Sequence, residues 1–196
     1  MSVVSIGFYG KLPVRGDFVR MGLPRDFIDP WDSWLQSVLA GSQASMGEAW
    51  LPAFLEAPVW RFSLPAGMCG QQAILGLMLP SVDQAGRYFP LAFARLNLQR
   101  IDAAASEAWL DACEAAGLAA LEQDISPREI AAMLPAPDLA VDASGATDAE
   151  WWTAGSVRVR PTRMVLQSMP DPATYAAMLG AENEPEAGER TWESTS

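Results

Sequence analysis

The stretch GFYGKLPVRGDFVRMGLP, residues 7–24, holds the densest set of side chains that could do chemistry. The Gly10-Lys11 pair suggests a phosphate cradle. A phosphate loop, however, needs glycine five residues earlier and a hydroxyl residue next, and Ser5 and Leu12 stand there instead. The triplet Arg15-Gly16-Asp17 would serve adhesion only on an exposed loop of a secreted protein. The start MSVVSIGFYG lacks the basic and apolar segments of a secretory signal. What remains is a basic cluster, Lys11, Arg15, Arg20 and Arg25, suited to an acidic partner surface.

Other reactive groups are sparse. The chain has no histidine, so the usual near-neutral base and the commonest transition-metal ligand are both missing. Cys69 and Cys113 fit no metal-ligand spacing and are too few for a disulfide scaffold, so both read as buried thiols in a reducing compartment. Carboxylate pairs such as Asp29 with Asp32, or Asp17 with Asp83, could do hydrolytic chemistry if they converged in a cleft. The first pair suits helix capping better. Arg87 lies among aromatics and suits an ion-pair anchor for Asp17 or Asp83. Trp151 and Trp152 are adjacent, so in a strand they point to opposite faces, and one must be covered by a helix or offered to a partner.

The 196 residues suffice for one domain with a real core, over residues 1–180, followed by a polar tail, 181–196. Net charge is −11, and it is uneven. Residues 1–100 carry eight Lys/Arg against seven Asp/Glu, while residues 101–196 carry five against seventeen. An acidic second half repels phosphate backbones and anionic lipid, which argues against nucleic acid and membrane surfaces as partners. Residues 62–82 are uncharged, but Pro65, Gly67, Gly70, Gly76 and Pro80 break them too often for a spanning helix. A cytoplasmic protein is expected.

The elements that must position these groups can be read from periodicity. SVVSIGFYGKL suits a first strand. The apolar spacing of Phe27, Trp31, Trp34, Leu35, Val38 and Leu39 predicts a helix capped by Asp26 or Asp29 and stopped near Gly41. GEAWLPAFLEA suits a shorter helix with Trp50, Phe54 and Leu55 inward. PVWRFSL, QAILGLMLP and GRYFPLAFARLNL follow as three strands paired in sequence, the third with an edge or bulge at Pro90. An Ala-rich helix opens at Asp102. A short helix has a capping box at Ser126 and Glu129, and a last helix starts after Asp171. Two more strands are expected near residues 156–160 and 164–167. The fold class is an α+β sandwich, a mostly antiparallel sheet of five to six strands covered by helices.

Taken in order, GFYGKLPVRGDFVRMGLP, PWDSWLQ, APVWRFSL, LMLPSVDQAGRYFPL, the WW pair and MPDPATYAAML resemble the TagF family of type VI secretion-associated proteins, from about residue 6 to residue 180. Gly7, Gly10, Lys11, Pro13, Arg15, Gly16, Asp17 and Phe18 match the family's opening motif, and Gly86-Arg87-Tyr88-Phe89-Pro90 matches a later one. The resemblance implies a cytoplasmic post-translational repressor of secretion that binds the forkhead-associated scaffold protein of that system. It implies no catalysis, metal, cofactor or small-molecule substrate. On the residues alone, an enzyme and a structural accessory of the secretion machine remain alternatives. For Arg15, Gly16 and Asp17 a purely architectural role competes with docking, Gly16 supplying a backbone angle other residues resist.

Overall fold

The computed structural model describes residues 5–96, 103–135 and 147–181. Asp102, residues 136–146 and all but the first residue of the expected tail lie outside them. Among the described residues thirteen stretches build one antiparallel sheet with helices on both faces. In order they are β1 (Ser5–Gly10), β2 (Val19–Met21), α1 (Arg25–Met46), a 3-10 turn (Gly47–Ala49), α2 (Trp50–Leu55), β3 (Trp60–Leu64), β4 (Ile74–Leu79), β5 (Leu91–Leu96), α3 (Ala103–Glu122), α4 (Pro127–Met133), β6 (Ala149–Thr153), β7 (Thr162–Leu166) and α5 (Pro172–Met178).

The seven strands lie in the order β2-β1-β5-β4-β3-β6-β7, every neighbouring pair antiparallel. The meander β3-β4-β5 is the one the three apolar segments predicted. Successive side chains in a strand face opposite sides, so Phe93 packs on one face and Ala92 and Ala94 on the other. Under α1, α2 and α5 lies a core rich in aromatics: Phe27, Trp31, Trp50, Phe54, Phe62, Trp151 and Tyr175. Under α3 and α4 lies a second core, with Phe8, Leu75, Leu77, Phe93, Trp109, Leu110 and Ile130. Both faces of β4 and β5 are therefore buried, which explains their unbroken apolar sequences.

Several expectations need correction. Among the described residues the strand count is seven, because the three-residue β2 is too short to show a period in the sequence. Its close approach to β1 depends on glycine: a Cβ at Gly7 would stand 1.8 Å from the Met21 carbonyl oxygen. The strand placed at residues 156–160 is a turn, and the hairpin's first strand is β6, seven residues earlier. Val157 is 88 % exposed there while Val159 reaches the core, and the Ser156 amide donates to the Val159 carbonyl at 2.8 Å, so the apparent alternation is not the buried face of a strand. Pro90 ends a loop, and β5 beyond it is central, not an edge. Helix α1 starts after Pro24 with no side-chain cap, so neither Asp26 nor Asp29 plays that part, and Pro30 lies inside it. It runs through Gly41 because that glycine lets α5 press close; a Cβ there would stand 2.5 Å from Pro172 Cβ. On α2, Leu55 is exposed and Ala53 is the inward residue. The α4 capping box and the Asp171 cap on α5 form as expected.

Candidate functional site

The two family-like motifs meet at one end of the sheet. Strand β1 ends at Gly10, whose φ of 150° few other residues adopt and where a Cβ would stand 2.3 Å from the Pro90 carbonyl oxygen. This contact brings the loop after β1 against the loop before β5. Lys11 then turns inward, and its Nζ donates to Asp83 Oδ2 at 2.6 Å. Arg87 Nε donates to the same oxygen at 2.7 Å. Asp83 Oδ1 accepts the backbone amides of Ala85 and Arg87, each at 2.9 Å. Ser81 Oγ donates to the Lys11 carbonyl at 2.6 Å, Gln84 N to the Arg15 carbonyl at 3.0 Å, and Arg87 to the Gly16 carbonyl. One carboxylate thus ties residues 11–16 to residues 81–87.

Burial alone would push the Asp83 carboxyl up, yet the Lys11 and Arg87 hydrogen bonds outweigh it and hold the group well below the usual carboxylate range. The pair is unsymmetrical. Lys11 and Asp83 are buried, with side chains 6 % and 0 % exposed, while the Arg87 side chain is 61 % exposed. Phe18 roofs the node: it stacks on Tyr9 at 5.3 Å, meets Phe89 edge-on at 4.8 Å, and stands with its ring centre 5.0 Å from Lys11 Nζ. Its outer side remains 43 % exposed. Below it, Tyr9 donates to Asp32 Oδ1 at 2.6 Å, and burial together with that bond raises the phenol above its ordinary range.

The sequence-derived site residues therefore divide. Arg15, Asp17, Arg20 and Arg87 are exposed around the node, and Arg25 is exposed at the start of α1. Lys11 leaves the expected basic surface because Asp83 needs a buried cation. The partner of Arg87 is Asp83, not Asp17. Gly16 has no positive φ, and nothing lies within 4 Å of where its Cβ would be, so the demand for an unusual backbone angle falls instead on Gly10 and, at φ 78°, on Gly86. Trp151 is fully buried, 5.0 Å from Phe62 and 5.6 Å from Trp34, and so belongs to the core. Trp152 is half-buried on the opposite face, with the Arg163 guanidinium 5.6 Å over its ring.

Two features were missed in the sequence. The buried role of Lys11 had a faint signal, a lone lysine between an apolar strand and Leu12-Pro13. Arg61 had none: on β3 it meets Asp111 at 2.6 Å, Glu114 at 2.8 Å and Glu107, all from α3.

Chemically, the node can hold two loops rigid. Asp83 has both oxygens occupied and its proton affinity lowered, the reverse of what a general base needs near neutral pH. Asp32 is engaged by Tyr9 and Gln36. Among the described residues no three His, Cys, Asp or Glu side chains are grouped to hold a metal ion, and no helix is long and apolar enough to cross a membrane. An open depression lined by Pro65, Gly67, Met68, Gln167 and Met169 contains no titratable side chain.

Comparison with known proteins agrees with this geometry. No curated protein sequence matches the chain. The crystal structure of PA0076 from Pseudomonas aeruginosa PAO1, at 2.05 Å resolution, is 32 % identical and superposes with a TM-score of 0.78, covering 92 % of this chain and 96 % of that one. The sequence model of the TagF N-terminal domain, described as type VI secretion system-associated, matches residues 7–136, a span that contains both loops of the Lys11–Asp83–Arg87 node. The chain belongs to the TagF family, and is a type VI secretion system-associated protein.

Proposed function

We propose that the protein represses type VI secretion after translation, by binding the cytoplasmic forkhead-associated scaffold protein of that system and withholding it from assembly. The contact surface is the pair of loops joined by Asp83. The observation that carries this reading is the node itself: a buried, fully bonded ion pair holds Arg15, Asp17, Phe18, Arg20 and Arg87 in a preset arrangement on the outside. A preset surface binds without the entropic cost of ordering loops, and arginines beside a half-exposed aromatic ring are the residue types that dominate interface energies. Positive charge on a chain of net charge −11 also orients an acidic partner toward this corner.

No catalytic step is assigned to the domain, since the nearest candidate carboxylates serve as structural acceptors. Repression by capture requires only that the free scaffold bind better than the assembled one, because a ligand shifts an equilibrium by its differential affinity alone. The test is overproduction in a bacterium with an active system, reading secreted substrates in the medium. Secretion should fall with the natural chain and recover with the double variant Arg15→Glu, Arg87→Glu at equal protein level. Equal repression by that variant would overturn the assignment of the surface, and unchanged secretion with the natural chain would overturn the function.

A further inference from the structure

The two faces of the sheet are covered unequally. On one side α1, α2 and α5 share a core with residues from β1 through β6. On the other, α3 and α4 pack over β2, β1, β5 and β4, α3 reaches β3 through the acidic side chains that hold Arg61, and among the described residues no helix lies on β6 and β7. On this side, moving away from α3, run Arg61 on β3, then Trp152 paired opposite it on β6, then Arg163 paired opposite Trp152 on β7. Trp152 is half-buried and Val165, on the same face of β7, is 58 % exposed. The strip has an acidic border. Glu107, Asp111 and Glu114 share the single guanidinium of Arg61, two negative charges in excess, and their side chains are 50 %, 68 % and 32 % exposed against 17 % for Arg61.

We infer that this strip is a second docking surface, and that its occupant is a cationic amphipathic helix of a partner protein. Three adjacent strands span about 10 Å from first to last, the diameter of one helix with its side chains. Such a helix would lie beside α3 and complete the outer layer of the sandwich. Its apolar edge meets Trp152 and Val165, and its Lys or Arg edge meets the open carboxylate oxygens of Glu107, Asp111 and Glu114. Charge selects this occupant over the alternatives within the chain. Residues 136–146 contain Asp138 and Asp142 and no cation, and residues 182–196 contain five glutamates and one arginine, so both would bring negative charge to the acidic border. In a second copy the exposed Arg15, Arg20 and Arg87 around Asp83 lie on loops and on β2, not on a helix that could lie beside α3. The strip uses none of the residues of the Asp83 node, so the protein has a cationic contact surface and a separate anionic one.

The experiment titrates the full chain into a fluorescein-labelled 14-residue peptide with leucine on one helical edge and lysine on the other, read by anisotropy, with hydrogen exchange locating the contact. The expected result is saturable one-to-one binding, with protection in β6 and β7. Affinity should fall about tenfold in the double variant Glu107→Lys, Asp111→Lys, and again on raising salt, as pairs between exposed charges do. A second variant, Val165→Asp, alters only the outer strand and should weaken binding by a similar factor; melting curves confirm that each variant is folded. Absence of binding, equal affinity in all variants, or protection confined to the loops around Asp83 would overturn the inference. So would protection of β6 and β7 in the free chain by residues 136–146, or in a dimer of the chain, shown by cross-linking from position 165.

Discussion

Replacing Lys11 by methionine removes the buried cation and keeps the volume and shape of its stem. Asp83 then remains inside the protein with Arg87 Nε and two backbone amides, but without the 2.6 Å ammonium contact. Breaking a buried pair costs about 3–5 kcal/mol, and because three donors remain the lower end applies, about 3 kcal/mol. Arg87→Met removes a cation from the same oxygen, but its side chain is 61 % exposed, so solvent screens it and the loss should be about 1 kcal/mol. For a chain of this size each kcal/mol lowers the melting temperature by about 2–4 °C. Lys11→Met should therefore melt about 6–12 °C lower and Arg87→Met about 2–4 °C lower, with urea titrations giving the same order. For scaffold binding the order should reverse, since Arg87 is on the surface and Lys11 is not. If Arg87→Met proved as destabilising as Lys11→Met, the assignment of Lys11 as the interior anchor would be wrong.

Acid should unfold the protein through the same carboxylate. The folded Asp83 is held below the unfolded value of about 4, as are the capping residues Glu129 and Asp171, so their stabilisation is complete above pH about 4 and is lost as pH falls through the folded values. Urea midpoints should be flat from pH 5 to 7 and drop below about pH 4, less steeply in Lys11→Met, whose Asp83 is less strongly held. Gly7→Ala should cost at least about 3 kcal/mol, because its Cβ would stand 1.8 Å from the Met21 carbonyl, while Gly16→Ala should change stability by less than about 0.5 kcal/mol; thermal melts decide. Burial pushes the Cys69 and Cys113 thiols up to about 12, so neither should react with iodoacetamide at pH 8 until denaturant is added, as mass spectrometry would report.

The sequence exposes those parts of the fold whose side chains repeat with a period or whose ends carry a cap. The strands from Trp60 to Leu96 were readable because Trp60, Phe62 and Leu64 alternate with more polar partners and the next two are apolar throughout. The box at Ser126 and Glu129 was readable because both hydrogen bonds are local. What failed depended on contacts between distant segments. Gly41 reads as a stop unless Pro172 is known to rest on it. Val157 and Val159 read as a strand unless one knows that β3 pairs with residues 150–152 instead. For the candidate site, the motif residues were legible through family resemblance, but their division into interior and surface was not. Lys11 and Asp83 are 72 positions apart, and which of Lys11 and Arg87 is buried depends on the closeness of Gly10 to Pro90. The same limit hid Trp151, whose place under Trp34 is fixed by the β3–β6 register.

Calorimetric titration of the purified forkhead-associated scaffold with this chain tests most directly whether the motif loops form a binding surface. Capture through those loops predicts one-to-one binding that weakens at least tenfold in the Arg15→Glu, Arg87→Glu double variant. It also predicts less than a twofold change in Glu107→Lys, Asp111→Lys. Undetectable binding by the natural chain, or equal binding by the double variant, would contradict it.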